Sequence, residues 1–396
     1  MTSAASLPHA PRLHGLDTLR AAAIVLVFAY HYMVFVSGTP TFGWLSQVGW
    51  VGVDLFFVLS GYLIANQIFA GQVQGRELSL KAFYARRLLR TLPNFYVVLA
   101  LYSAFPAVMG GSAPPPLWRF VTFTQNVFLQ PGTAFSHAWS LCIEEQFYLL
   151  LPAVAFFGAR HVRSVRVGWV VLVGAVLAAV ALRAALWSRF GREADGAIAG
   201  YYSNLYYATW ARIDEFLPGV AVAMLKNFHP ALWQRVLRWP RAGSLVGGIC
   251  TALMLAAMLV FYEIDGYGYG FAMTAFGYSL MACAFALLTL SALTPGSLLH
   301  RLQVPGATAL AAWSYAIYLT HKAIAGIVQK LLGQHGVAAD SWAAVALITI
   351  ACLLVGWLLY RLIETPFMAW RDRRVPTSFP TPTRPITHLS TSRSTP

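Results

Sequence analysis

Charge is scarce in this chain: Asp, Glu, Lys and Arg together make up 11% of its 396 residues, against roughly 25% in soluble domains. A surface that poor in charge excludes an ordinary soluble enzyme. Acidic residues are scarcest, 14 against 28 Lys and Arg. The four cysteines, Cys142, Cys250, Cys283 and Cys352, lie singly in apolar segments, which excludes a disulfide framework and a zinc site alike. No internal repeat is visible, so transporters built from inverted repeats lose their usual sequence signature. A cleavable leader is also not expected: polar residues 1–13 run into an apolar stretch that has no small-residue cleavage box and contains ionisable residues.

What the chain has instead is hydrophobic length. It is 58% hydrophobic, with a mean hydropathy of +0.61, which predicts an all-α polytopic membrane protein. Apolar runs of membrane-spanning length place ten transmembrane helices near 16–36, 48–69, 92–109, 138–157, 167–187, 209–225, 243–262, 272–293, 307–332 and 342–363. The sixth is the weakest, because it contains Arg212, Asp214 and Glu215. Residues 118–129 are a candidate for an additional half-inserted element.

Basic residues cluster in alternate loops, after the second, fourth, sixth, eighth and tenth spans, while the loop after the first has no charge. By the positive-inside rule both termini are cytoplasmic. The net charge of +14 is thereby explained without nucleic acid. The expected organisation is a cytoplasmic segment 1–13, a transmembrane domain 14–375, and a disordered cytoplasmic tail 376–396 rich in Thr, Ser and Pro.

Ionisable residues inside a membrane are costly and point to function. In the first span Arg20 and His31 stand eleven residues apart, on one helical face and roughly 16 Å along the axis. With Arg20 at the cytoplasmic surface, His31 lies in the outer half. Asp54 and the group His137, Trp139, Glu144 and Glu145 are expected to converge there from two other spans. On the inner side Arg87 and Arg90 share a helical face just before Pro93, which is expected to open the third span. With Arg20 they form a cationic pocket suited to phosphates. Tyr201, Tyr202, Tyr206 and Tyr207 fit an interfacial belt, with stacking on sugar faces as the alternative.

Several sequence blocks resemble the membrane-bound acyltransferase 3 family, which includes acetylases of bacterial surface polysaccharides and macrolide acyltransferases. They are Gly15-Leu-Asp-Thr-Leu-Arg20 leading to His31, Gly52-Val-Asp-Leu-Phe-Phe-Val-Leu-Ser-Gly61, Phe83-Tyr-Ala-Arg-Arg-Leu-Leu-Arg-Thr-Leu-Pro93 and His137-Ala-Trp-Ser-Leu-Cys-Ile-Glu-Glu-Gln-Phe-Tyr148. Weaker echoes follow in Arg212-Ile-Asp214, Ser314-Tyr-Ala-Ile-Tyr-Leu-Thr-His321 and Glu364-Thr-Pro366. Thr18 stands where the family commonly has Gly, and the esterase-like domain of many relatives is not seen in this sequence.

The resemblance implies a multi-pass bacterial inner-membrane O-acyltransferase. Its donor would be acetyl-CoA or another acyl-CoA, its acceptor a hydroxyl of a cell-surface or lipid-linked glycan, and no metal is implied. Arg20, Arg87 and Arg90 would hold the CoA nucleotide. His31 would act as general base or as an acyl-carrying nucleophile, oriented by Glu144 or, second, Asp54. His321, Trp139 and Ser140 would support the acceptor or thioester. The competing readings are an acyltransferase for a macrolide-like small molecule and a proton-coupled carrier using His31, Glu144 and Asp54 as a relay.

Overall fold

The computed structural model describes residues 13–161, 164–192, 197–264 and 267–379. Among them ten helices of twelve residues or more dominate. These are α1 (His14–Tyr32), α2 (Gly52–Val73), α3 (Leu80–Ala104), α4 (Trp139–His161), α5 (Val165–Phe190), α6 (Leu217–Phe228), α7 (Pro240–Phe261), α8 (Tyr278–Leu293), α9 (Ala307–Gln334) and α10 (Trp342–Leu359). Each overlaps one of the ten expected runs, although α3 begins twelve residues before its run and α6 eight residues after the start of its own, and the fold is an all-α membrane architecture. With their flanking turns, seven helical segments are long and apolar enough to cross a membrane: His14–Ser37, Trp44–Val73, Ser136–Gly158, Val165–Phe190, Pro240–Phe261, Met273–Leu293 and Trp342–Arg374. Helices α3, α6 and α9 occupy the other three expected positions.

Large apolar side chains remain exposed along α5, α7 and α10, among them Val170, Leu177, Leu253 and Ile350. In water such a belt would drive aggregation; against hydrocarbon it is the expected outer surface. Polar groups turn inward instead. The largely exposed α5 is tied to the bundle by the fully buried Arg183, whose Nη1 lies 2.7 Å from Asp214 Oδ1 and 2.7 Å from the Ala211 carbonyl.

Helix α1 packs between α2 and α9, and α2 packs along α6. The α2–α6 crossing is close because glycine meets backbone on both sides. A Cβ on Gly61 would collide with the Phe216 carbonyl, and one on Gly219 with the Val58 carbonyl. Small residues that let helix backbones touch are the usual device for association inside a membrane.

Three local expectations change. Pro93 does not open a helix: α3 runs through it, so Arg87 and Arg90 stand on the same continuous helix as the membrane segment. Membrane helices tolerate such a proline because neighbouring groups satisfy the freed carbonyl. Residues 118–129 form one short helix, Leu117–Val121, followed by turns, and not a half-inserted span. The loop packs inward through the fully buried Phe135, which adopts a left-handed backbone at φ 59° just before His137. Of the expected tail, Ser378 and Phe379 are packed: the Ser79 N–H donates to the Ser378 carbonyl at 2.9 Å, and Phe379 covers Gly71. Residues 1–12 and 380–396 lie outside the described part.

Candidate active site

The arginines expected to act together do converge. Arg20 from α1 and Arg87 and Arg90 from α3 line one cavity of about 370 Å³, together with Ser60, Ser140, Glu144, Tyr148 and Tyr315. Arg87 is the best anchored. Its guanidinium lies 3.5 Å from the centre of the Tyr148 ring and 3.6 Å from Glu144 Oε1. That same oxygen accepts hydrogen bonds from the Ser60 hydroxyl, at 2.6 Å, and from the Tyr148 hydroxyl. Glu144 therefore belongs to the arginine cavity and not to His31. The reason is depth: α4 begins at Trp139, and residues 137 and 144 are about 10 Å apart along a helix.

His31 lines a second cavity of about 220 Å³. Its walls are aromatic, with Tyr30, Trp50, Trp139, Tyr202, Tyr206 and Tyr207, and no Asp, Glu, Lys or Arg contributes to them. Tyr202 and Tyr206 come from a π-helical turn, Tyr202–Tyr206, a geometry often found at functional sites, and Tyr207 follows it directly. Another π-helical turn, Met33–Ser37, directly continues α1 beyond His31.

The partner of His31 is His321. His31 Nδ1 is 2.7 Å from His321 Nε2, and the rings are parallel to within 8°. Hydrogen-bond complementarity fixes both tautomers. His321 Nδ1 faces two acceptors, the carbonyls of Ile317 at 3.0 Å and Tyr318 at 2.9 Å, so it carries the proton. Its Nε2 must then accept, and His31 Nδ1 must donate. The remaining nitrogen of His31, Nε2, keeps its lone pair. Backbone carbonyls thus fix the tautomer and orientation of His321, and through it of His31, the orienting part of a carboxylate's role in a catalytic triad. His137 adds a third imidazole, 6.3 Å from His31 between ring centres, with Nε2 donating to the Leu319 carbonyl at 3.3 Å. Among the described residues no group of three or more His, Cys, Asp or Glu side chains is arranged to hold a metal ion.

The two cavities have Val53 and Tyr318 in common. The Tyr318 hydroxyl is pinned at this shared wall: it donates to the His137 carbonyl at 2.6 Å and accepts from Ser140 Oγ at 2.6 Å. Ser140 faces the arginine cavity and its neighbour Trp139 the histidine cavity.

Asp54 reaches neither cavity. It is completely buried in an ion pair with Arg212, which also pairs with Glu215. The charges in the sixth apolar run thus explain themselves as an internal network. The Arg212 guanidinium lies 4.0 Å from the ring centre of Tyr278, 4.9 Å from Tyr206 and 5.2 Å from Trp139. Through the last two rings it braces the aromatic wall around His31. The sequence singled out neither this brace nor Trp50 or Tyr318 as site residues; His137 was expected beside His31 and is found there. The cluster of four tyrosines between 201 and 207 was the available signal for the aromatic wall.

Residues 13–361 match the family model described as an acyltransferase domain, acyltransferase 3. The chain belongs to this family. It is similar to the peptidoglycan O-acetyltransferase OatA of Listeria monocytogenes, with 27% identity over 89% of this chain and 55% of the relative. It is also similar to the O-acetyltransferase OatA of Staphylococcus aureus, with 26% identity over 90% of this chain and 58% of the relative. A putative O-acetyltransferase of Staphylococcus aureus is 25% identical over 91% of the chain and 59% of its own length. The chain thus spans little more than half the length of these relatives. No solved structure matches it.

Proposed function

We propose that the protein is a multi-pass inner-membrane O-acetyltransferase that moves an acetyl group from cytoplasmic acetyl-CoA to a hydroxyl of a glycan outside the cytoplasm. The observation that carries this reading is the pair of cavities with one shared wall, three arginines on one side and His31 on the other. In this reading all ten helices span the membrane and both termini are cytoplasmic, so the arginine cavity opens inward. Residues 14–375 form the catalytic domain.

Arg20, Arg87 and Arg90 offer planar, permanently charged donors to the phosphates of CoA. The pantetheine arm then runs past Ser140 and Tyr318, bringing the thioester carbonyl to the shared wall. His31 Nε2 takes the proton of the acceptor hydroxyl as the oxygen attacks that carbonyl. The tetrahedral intermediate collapses, the C–S bond breaks, and the imidazolium returns the proton to the departing thiolate. His321 holds His31 in the tautomer that can accept. The aromatic walls suit the faces of a sugar ring, and the acceptor named for the Listeria relative is peptidoglycan.

The test is transfer of labelled acetyl from acetyl-CoA by the purified protein in lipid vesicles, with soluble glycan fragments and a macrolide offered together as acceptors. Label in an alkali-labile sugar ester supports the reading. Label recovered only in a macrolide, or acetyl-CoA left unconsumed, overturns it.

A further inference from the structure

Lys322, next to His321 on α9, lies beside the histidine cavity without the carboxylate partner that Arg183, Arg212 and Arg87 each have. Arg183 has Asp214, Arg212 has Asp54 and Glu215, and Arg87 has Glu144. Among the described residues no carboxylate pairs with Lys322. Its ammonium donates one hydrogen bond, to Ser136 Oγ at 3.2 Å, and lies 4.3 Å from the centre of the Phe35 ring. Ser136 and Phe35 both line the histidine cavity, whose walls carry no charged residue. An ammonium has three donors, so two remain for a ligand. A partly buried cation beside apolar walls, without a counter-charge, is costly for the protein alone. An anion arriving with the acceptor removes that cost.

We propose that Lys322 is a specificity-determining residue at the rim of the histidine cavity, selecting acceptors that carry a fixed negative charge, a carboxylate or phosphate, beside the hydroxyl to be acetylated. The proposal rests on the acyl-transfer reading above and adds the charge of the acceptor to it. The aromatic walls hold the sugar ring, His31 Nε2 faces the reacting hydroxyl, and the Lys322 ammonium receives the anion. Ring orientation is thereby fixed by one charge-assisted contact, and a neutral acceptor leaves the ammonium unmatched.

The experiment uses the full chain in phosphatidylcholine vesicles, with labelled acetyl-CoA and three acceptors built on one sugar: the neutral methyl hexoside, the methyl hexuronide and the hexose phosphate. The wild type is expected to favour at least one anionic acceptor over the neutral one by about tenfold in kcat/KM, the effect of one charge-assisted hydrogen bond. The favoured anion distinguishes a uronate-type glycan from a phosphate-linked one. Lys322→Gln brings the anionic-to-neutral ratio close to one, and Lys322→Arg retains most of it. A wild-type ratio of one overturns the proposal whether or not the variants fold, as does a ratio that survives in Lys322→Gln. Both outcomes leave acyl transfer itself standing. Acetylation of none of the three, with acetyl-CoA bound, overturns the glycan reading and this proposal with it.

Discussion

His31 and His321 lie 290 positions apart in the chain, yet Nδ1 of the first and Nε2 of the second are 2.7 Å apart. Because two backbone carbonyls fix the proton on His321 Nδ1, the hydrogen bond between the imidazoles has only one sense. This pair leaves His31 Nε2 with its lone pair, the nitrogen that takes the proton in the proposed transfer.

His321→Ala removes the acceptor for His31 Nδ1–H and frees the imidazole to turn or change tautomer. Acetyl transfer is expected to fall by about 10²-fold, within the usual range for a general base, while acetyl-CoA affinity changes less than twofold. His321→Gln, whose side-chain oxygen can accept the same hydrogen bond, should recover part of the rate. Paired rate and binding measurements check this; a parallel loss of binding would place His321 in the donor site instead.

Arg212→Met leaves Asp54 and Glu215 buried without their cation. Breaking a buried pair from one side costs about 3–5 kcal/mol, so thermal unfolding in detergent should move to markedly lower temperature. Adding Asp54→Asn and Glu215→Gln to the same variant should restore much of the loss. Absence of that recovery would mean that Arg212 acts through the aromatic rings and not through charge.

Gly61→Ala and Gly219→Ala each force the α2–α6 crossing apart, because the added methyl meets a backbone carbonyl that cannot move alone. Each should reduce the yield of folded protein and lower its unfolding temperature. Gly174→Ala, on α5 with nothing within 4 Å of the new methyl, is the control and should be neutral or slightly stabilising.

The parts of the site that were legible in the sequence are those set by local spacing. Arg87 and Arg90 share a helical face whatever surrounds them, and the distance from Arg20 to His31 follows from helical rise alone. Both placed these residues in the correct neighbourhood. The partner of His31 was not legible, since His321 meets it only through the packing of α1 against α9. Glu144 looked like an outer residue because it follows His137 closely, but seven residues of helix carry it into the arginine cavity. Asp54 was legible as a buried acid; its cation lay in a stretch whose three charges made it the weakest of the ten expected spans. The membrane architecture itself was plain, because long apolar runs leave a chain little alternative to spanning helices.

The central claim is a division of labour, with the arginines binding the donor and His31 performing the transfer. It is tested most directly by measuring acetyl-CoA binding and acetyl transfer side by side, at matched folding, in wild type, His31→Ala and the Arg87→Ala, Arg90→Ala double variant. The account predicts that His31→Ala binds acetyl-CoA within about twofold of wild type and transfers at least 10²-fold more slowly, while the double variant loses binding by a comparable factor. Wild-type transfer in His31→Ala, or undiminished acetyl-CoA binding in the double variant, would contradict it.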